Sequence, residues 1–167
     1  MPKRVFSQTF GVVGAILEKD GKILLMKEAE PTPDQGKWSH PAGWIDVGEN
    51  PIEAVKREAK EESGYDFEPT ALLGIYSLHR KDIIRDGLHP HAIKLLFIGK
   101  ISESQSELAS DSAETKWFTP EEIYAMDKTT LRDLDIKQAV KDYFAGKHYP
   151  LEILTHTISE KPNNPSG

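Results

Sequence analysis

Residues 6–17 are rich in Val, Ile, Phe and Thr, and residues 22–26 form a second apolar run too short for a helix, so both read as strands. Between them Lys19-Asp20-Gly21 signals a tight hairpin, because Asp-Gly tolerates the positive φ that such turns require. A loop with Pro31, Pro33 and Gly36 follows, then an irregular stretch around Pro41, Gly43 and Gly48. At residue 51 the period changes. Ile52, Val55 and Ala59 recur at i, i+3 and i+7, the mark of one buried helical stripe over residues 51–63. Asn50 suits the N-cap, Pro51 the first helical position, Glu53 the capping-box partner, and Gly64 the residue just past the end.

Further along, residues 71–78 and 92–101 read as strands joined by a polar loop that carries Arg85, Asp86, Gly87, His89 and His91. After a Ser/Glu-rich connector, residues 115–118 look like a short strand, and Thr119-Pro120-Glu121-Glu122 opens a short helix. Residues 131–144 form a last amphipathic helix, closed near Gly146. No repeat and no domain boundary interrupts the pattern. The expectation is one mixed α/β domain over residues 1–160, with a loose tail over residues 161–167, where Pro, Asn and Gly concentrate.

Composition narrows the class. A chain of 167 residues can bury a core of its own, and 38% hydrophobic with 29% charged residues indicates neither disorder nor a membrane protein. No apolar run is long enough to span a bilayer. The opening Met1-Pro2-Lys3-Arg4-Val5 leads into the strand pattern without a signal-peptide stretch, so a cytoplasmic location is expected. The absence of cysteine removes disulfides, thiolate metal sites and thiol nucleophiles together. A net charge of -6 disfavours general nucleic-acid binding, which draws on a basic face.

The helix over residues 51–63 carries the chemistry. On a wheel of about 100° per residue, Glu58, Glu61 and Glu62 fall within one arc of roughly 100° beside the apolar stripe. Like charges at i,i+3 and i,i+4 cost a helix about 0.2–0.5 kcal/mol per pair, and anions near its C-terminus oppose the macrodipole. A hard divalent cation, Mg²⁺ or Mn²⁺, would resolve the conflict, since it is held by grouped carboxylate oxygens with water and phosphate. Spacing alone leaves a second reading open, a solvated acidic face balanced by Lys56, Arg57 and Lys60.

The whole segment reads GWIDVGENPIEAVKREAKEESGY from Gly43 to Tyr65. It is similar to the box of the Nudix hydrolase family, G-x5-E-x7-R-E-U-x-E-E-x-G-U with U a bulky apolar residue. Gly43, Glu49, Arg57, Glu58, Glu61, Glu62 and Gly64 stand in register without a gap, while Ala59 and Tyr65 take the U positions. The resemblance implies a mixed β-sheet sandwiched between helices. It also implies a divalent-metal-dependent hydrolase that cleaves a phosphate or pyrophosphate linkage by water attack on phosphorus. Glu58, Glu61 and Glu62 are then the expected metal ligands, with Glu61 the candidate for orienting or deprotonating water. Arg57 would hold the geometry of these glutamates and Glu49 would pair with Arg57. Gly43 would allow close backbone approach through its φ freedom. A binding module on the same fold is the rival reading, and the complete set of glutamates favours the enzyme.

Outside the box the signals thin. Glu114 is a candidate further ligand or base, or an exposed glutamate ahead of a strand. Trp38 is a candidate ring-stacking residue or a core residue. Arg80 and Arg85, with Lys81, His89 and His91, are candidates for contacting substrate phosphates through Arg's fork of donors, or are plain surface charges. The lack of cysteine excludes the prenyl-diphosphate isomerase branch, and the absence of proline between Pro69 and Pro90 counts against the ADP-ribose branch. Trp-Ser-His-Pro-Ala-Gly before the box and Lys147-His148-Tyr149-Pro150-Leu151-Glu152 resemble a phosphatase-like Nudix subgroup. That subgroup acts on nucleoside tri- and diphosphates and on pyrimidine pyrophosphates of thiamine metabolism. The expected partner is a phosphorylated small molecule, with neither nucleic acid nor membrane, on a monomer or homodimer.

Overall fold

The apolar run that opens the chain serves two sheets. The computed structural model describes residues 9–159 apart from 30, 32, 85–86 and 109–113. In it β1 (Thr9–Ile16) lies in one sheet, and after Leu17 the chain passes into β2 (Glu18–Lys19) of another. The hairpin therefore joins only β2 to β3 (Lys22–Lys27), not the two long runs to each other. Its turn has Asp20 at φ 51° and Gly21 at φ 76°, both left-handed, as a two-residue hairpin requires.

The first sheet has the order β5 (Ala42–Trp44), β1, β7 (His91–Ile101), β6 (Phe67–His79). β1 and β7 run parallel, and the other two pairings are antiparallel. In the second sheet β3 is central, with β8 (Thr115–Phe118) along one edge and β2 and β4 (Trp38–Ser39) along the other.

Helices cover both sides, so central strands have no wet face and read as continuous apolar runs. Leu24, Leu72 and Phe97 face α1 (Pro51–Ser63) and pack with Ala54, Val55 and Ala59. Their neighbours Ile23, Leu73 and Leu96 face the opposite way, toward Ile123 of α2 (Pro120–Ala125) and Ile136 and Val140 of α3 (Asp135–Phe144). Each buried Leu, Ile or Phe contributes about 1.5–3 kcal/mol. The result is the expected mixed β-sheet assembly sandwiched between helices.

Boundaries moved where tertiary pairing overrode local pattern. β6 begins at Phe67, ahead of Pro69, because an edge strand tolerates proline. α3 begins at Asp135, and the preceding turn is used otherwise. The Trp38 N–H donates to the Thr130 carbonyl at 2.8 Å and the Arg132 N–H to the Trp38 carbonyl at 2.9 Å. Glu53 lies 3.6 Å from Lys56, its partner here in place of the expected capping box. Residues 6–8 of the first run and the tail over 161–167 fall outside the described residues. Among the described residues no helix is long and apolar enough to cross a membrane.

Candidate active site

The rotation of α1 is set by its apolar stripe, and its ends are fixed by caps. The Asn50 side chain accepts from the Ile52 N–H at 3.0 Å, and Gly64 closes the helix at φ 75°. With Ala54, Val55 and Ala59 turned into the core, Glu58 and Glu62 face the passing strand β5. A Cβ at Gly43 would sit inside the Glu58 carboxylate. The backbone of Gly43 is not left-handed, so the residue is needed for its missing side chain and not, as the sequence suggested, for φ freedom. One residue earlier, the Ala42 N–H donates to Glu62 Oε2 at 2.7 Å. β5 thus seats two carboxylates, one by vacating space and one by a hydrogen bond.

Arg57 ties the loop, the strand and the helix together. Its Nε and Nη2 donate to the two oxygens of Glu49 at 2.9 and 3.0 Å, a bidentate pair that holds the Glu49 carboxyl below its usual range. Nη2 also donates to the Trp44 carbonyl at 3.2 Å, and Nη1 to Glu58 Oε1 at 2.6 Å. Glu61 stands at the margin, 59% exposed, with an oxygen 3.5 Å from Nη1.

Glu58 and Glu62 line a cleft of about 390 Å³, the size of a small-molecule site. Burial pushes the Glu62 carboxyl up to about 8, opposed in part by its bond from Ala42, and the nearby Glu58 charge pushes the same way. Burial also raises Glu58, with Arg57 pulling against it. Two oxygen-donor carboxylates that are poorly solvated as anions suit a hard divalent cation. Among the described residues no three acidic or imidazole side chains converge to enclose a metal unaided. The structure thus brings Glu58 and Glu62 together at the cleft and leaves Glu61, the third expected ligand, outside its lining.

The model of the NUDIX domain matches residues 7–140. The chain belongs to the NUDIX domain family. It is similar to an ADP-ribose pyrophosphatase from Methanocaldococcus jannaschii, 31% identical over 87% of this chain and 79% of that one. It is also similar to the phosphatase NudJ of Escherichia coli, 25% identical over 85% and 88% of the two chains. Among solved structures, a Nudix hydrolase from Nitrosomonas europaea superposes with a TM-score of 0.75 at 32% identity, covering 89% of this chain and 97% of its own. The protein is thus a Nudix hydrolase, and the family generally uses divalent metal ions on phosphorylated small molecules.

Several candidates outside the Nudix helix sit elsewhere than the sequence suggested. Trp38 is a core residue, 8% exposed and edge-to-face with Phe118 at 4.9 Å, so its ring does not reach the cleft. Arg80 does line the cleft, but all five of its N–H directions are taken by Asp34, Asp82 and Asp133 at 2.8–3.1 Å. It is a structural cation, with no donor left for a phosphate. Glu114 pairs with Lys27 at 2.7 Å and is absent from the cleft wall. Arg85 lies outside the described residues.

In their place the cleft gathers residues the sequence reading passed over: Phe10, Trp44, Lys94, Arg132 and Asp133. Burial lifts the Asp133 carboxyl to about 6 against the pull of Arg80. The missing signal was the parallel pairing of β1 with β7, which sets Phe10 beside Ala92 and Val12 beside Lys94. Trp44 alone was open to notice, as a large aromatic directly after the box glycine.

Proposed function

We propose that this Nudix hydrolase cleaves the diphosphate linkage of a nucleoside di- or triphosphate or a related organic pyrophosphate by water attack on phosphorus. Glu58, Glu61 and Glu62 hold Mg²⁺ or Mn²⁺ in this reading. The observation that carries it is the pair of half-buried carboxylates with raised pKa, Glu58 and Glu62, facing one cleft from the Nudix helix. When bound, the cation neutralises diphosphate charge and activates water. Glu61, the most exposed of the three and 3.5 Å from Arg57 Nη1, is the candidate for orienting that water. Arg57 and Glu49 are positioning residues, since the bidentate pair fixes the guanidinium that in turn holds Glu58. Gly43 provides the space in which that carboxylate sits. Catalysis on this plan is positioning and charge stabilisation. A chain free of cysteine fits a cytoplasmic location.

ADP-ribose is a second reading of the substrate, favoured by 31% identity to a protein of that named activity and opposed by the proline pattern after the box. One experiment addresses both. The purified chain is stripped with EDTA, metal content is verified, and Mg²⁺ or Mn²⁺ is added back. ADP-ribose and nucleoside tri- and diphosphates are then compared by kcat/KM, scoring nucleoside monophosphate against phosphate release. Activity should vanish on stripping and return with metal, and Glu62→Gln should lower kcat by orders of magnitude. Full turnover without metal would sink the mechanism. A hundredfold lead for ADP-ribose would replace the phosphatase-like substrate class.

A further inference from the structure

The first sheet ends on its longest strand. β6 has 13 residues, whereas the other edge strands, β2, β4, β5 and β8, have 4 or fewer. A strand edge is a row of unpaired N–H and C=O groups, and proteins blunt it with short strands, proline, lysine or a covering segment. On β6 a segment covers one residue: the Leu72 N–H donates to the Tyr149 carbonyl at 2.9 Å and the Tyr149 N–H to the Leu72 carbonyl at 2.8 Å. Beyond it, Gly74-Ile75-Tyr76-Ser77-Leu78-His79 holds no proline, lysine or carboxylate. Among the described residues no other segment pairs with the outer flank of this stretch.

The ladder to β7 decides which groups are open. The Arg80 N–H donates to the Pro90 carbonyl at 2.8 Å, so Arg80 aims inward. Antiparallel strands alternate, so Tyr76 and Leu78 also aim at β7, while Ile75, Ser77 and His79 aim outward. The register shift between Leu72 and Gly74 is what lets Leu72 aim outward as well. The His79 carbonyl is engaged by the Lys81 N–H at 3.2 Å. Ile75 and Ser77 thus keep both backbone groups open, and Ile75 leaves 63% of its surface to water. Alongside runs a groove of about 330 Å³, lined by Gly74, Tyr76, Tyr149 and Ile153, the last two well exposed.

We propose that this edge is the contact between two copies of the chain, paired antiparallel over residues 74–78 about a two-fold axis beside Tyr76. Identical strands paired antiparallel are related by a two-fold, so each copy satisfies the other. In this register Ile75 lies opposite the partner's Ser77, and the two exchange N–H···O bonds that the symmetry repeats, using every open group on both residues. The partner's Leu78 comes opposite Gly74 and enters the groove. The partner's β6 ends at His79, where the Tyr149 segment begins, so the two abut without overlap. Charge favours the same face: two chains of net charge -6 repel, and this stretch carries no acid.

The oligomeric state tests the pairing, and crosslinking tests its register. Sedimentation of the full chain over a concentration series should show the monomer mass doubling. Ile75→Lys sets a charge on the edge, and Ser77→Pro removes an outward N–H without touching the ladder to β7. Each should weaken dimerisation by about a hundredfold or more. Ile158→Lys, at another exposed isoleucine, should leave it unchanged. Hydrogen exchange at the Ile75 and Ser77 amides should slow as concentration rises. Because the chain has no cysteine, Ile75→Cys combined with Ser77→Cys gives a clean crosslink. Opposed Cα atoms about 5.5 Å apart suit a disulfide, so the double variant should link two chains under mild oxidation and neither single variant should. Should Ser77→Pro misfold, Ile75→Lys at an exposed position decides. A chain that stays monomeric across the series, or a dimer that survives Ile75→Lys in folded protein, would overturn the proposal. A crosslink through Ser77→Cys alone would overturn the register.

Discussion

His40 should make the protein acid-labile, and the size of the effect follows from its surroundings. The ring is 1% exposed and lies against Gly14 and Leu96, where a Cβ on Gly14 would come within 2.9 Å of its Nε2. Among the described residues neither ring nitrogen has a hydrogen-bond partner. Burial, reinforced by the Lys94 charge, lowers its pKa from 6.5 to about 3. The unfolded chain therefore takes up a proton below pH 6.5 that the folded chain refuses until about pH 3. Stability is full above that window and falls as pH drops through it, by about 1.4 kcal/mol per unit. Between pH 7.5 and 4.5 the loss is about 2.7 kcal/mol, a large part of the ordinary 5–15 kcal/mol. His40→Leu removes the titrating group and two unsatisfied nitrogens, so it should be neutral or stabilising near pH 7.5. Urea unfolding of both proteins across this range gives the difference profile. Subtraction cancels Asp133 and Glu62, whose raised pKa values act with the opposite sign. Parallel profiles for the two proteins would refute the reasoning.

Gly43→Ala should separate fold from function: the Glu58 carboxylate is flexible enough to yield, so the melting temperature should hold while kcat falls about a hundredfold through misplacement of that group. Unchanged turnover would show that Glu58 need not sit there. Glu49→Gln and Arg57→Lys should each lower kcat more than they raise KM, and the double variant should lose far less than the two combined, because they act as one bidentate unit. Full additivity in kinetics would count against that coupling. Arg80→Met strips the main partner from Asp34, which is 2% exposed, and should cost about 3–5 kcal/mol in urea unfolding. A loss under about 1 kcal/mol would mean those carboxylates find other partners.

The Nudix helix was legible to the residue because every signal in it is local: the Asn50 cap, the stripe of Val55 and Ala59, the Gly64 stop. The Glu49–Arg57 pair was legible through the box resemblance. Gly43 was recognised as indispensable for the wrong reason, since the need for empty space beside Glu58 appears only when strand and helix meet. Arg80 stood as a candidate phosphate contact because a sequence displays a guanidinium but not the aspartates that saturate it, two of them from distant segments. Trp38 and Trp44 are alike in composition and opposite in role, and the difference lies in which sheet each strand joined. The apolar half of the cleft depends on pairing residues of β1 with residues of β7, which no local pattern announces.

That same parallel pairing bears on how the molecule comes into being. Ile16 finds its β7 partner, Ile98, only after roughly 80 further residues have been made. At typical synthesis rates the wait is on the order of ten seconds. Until then β1 has β5 beside it and an open hydrogen-bonding edge on its other flank, rich in valine and isoleucine. Nascent chains are thus most exposed to wrong strand pairing before residue 101 emerges.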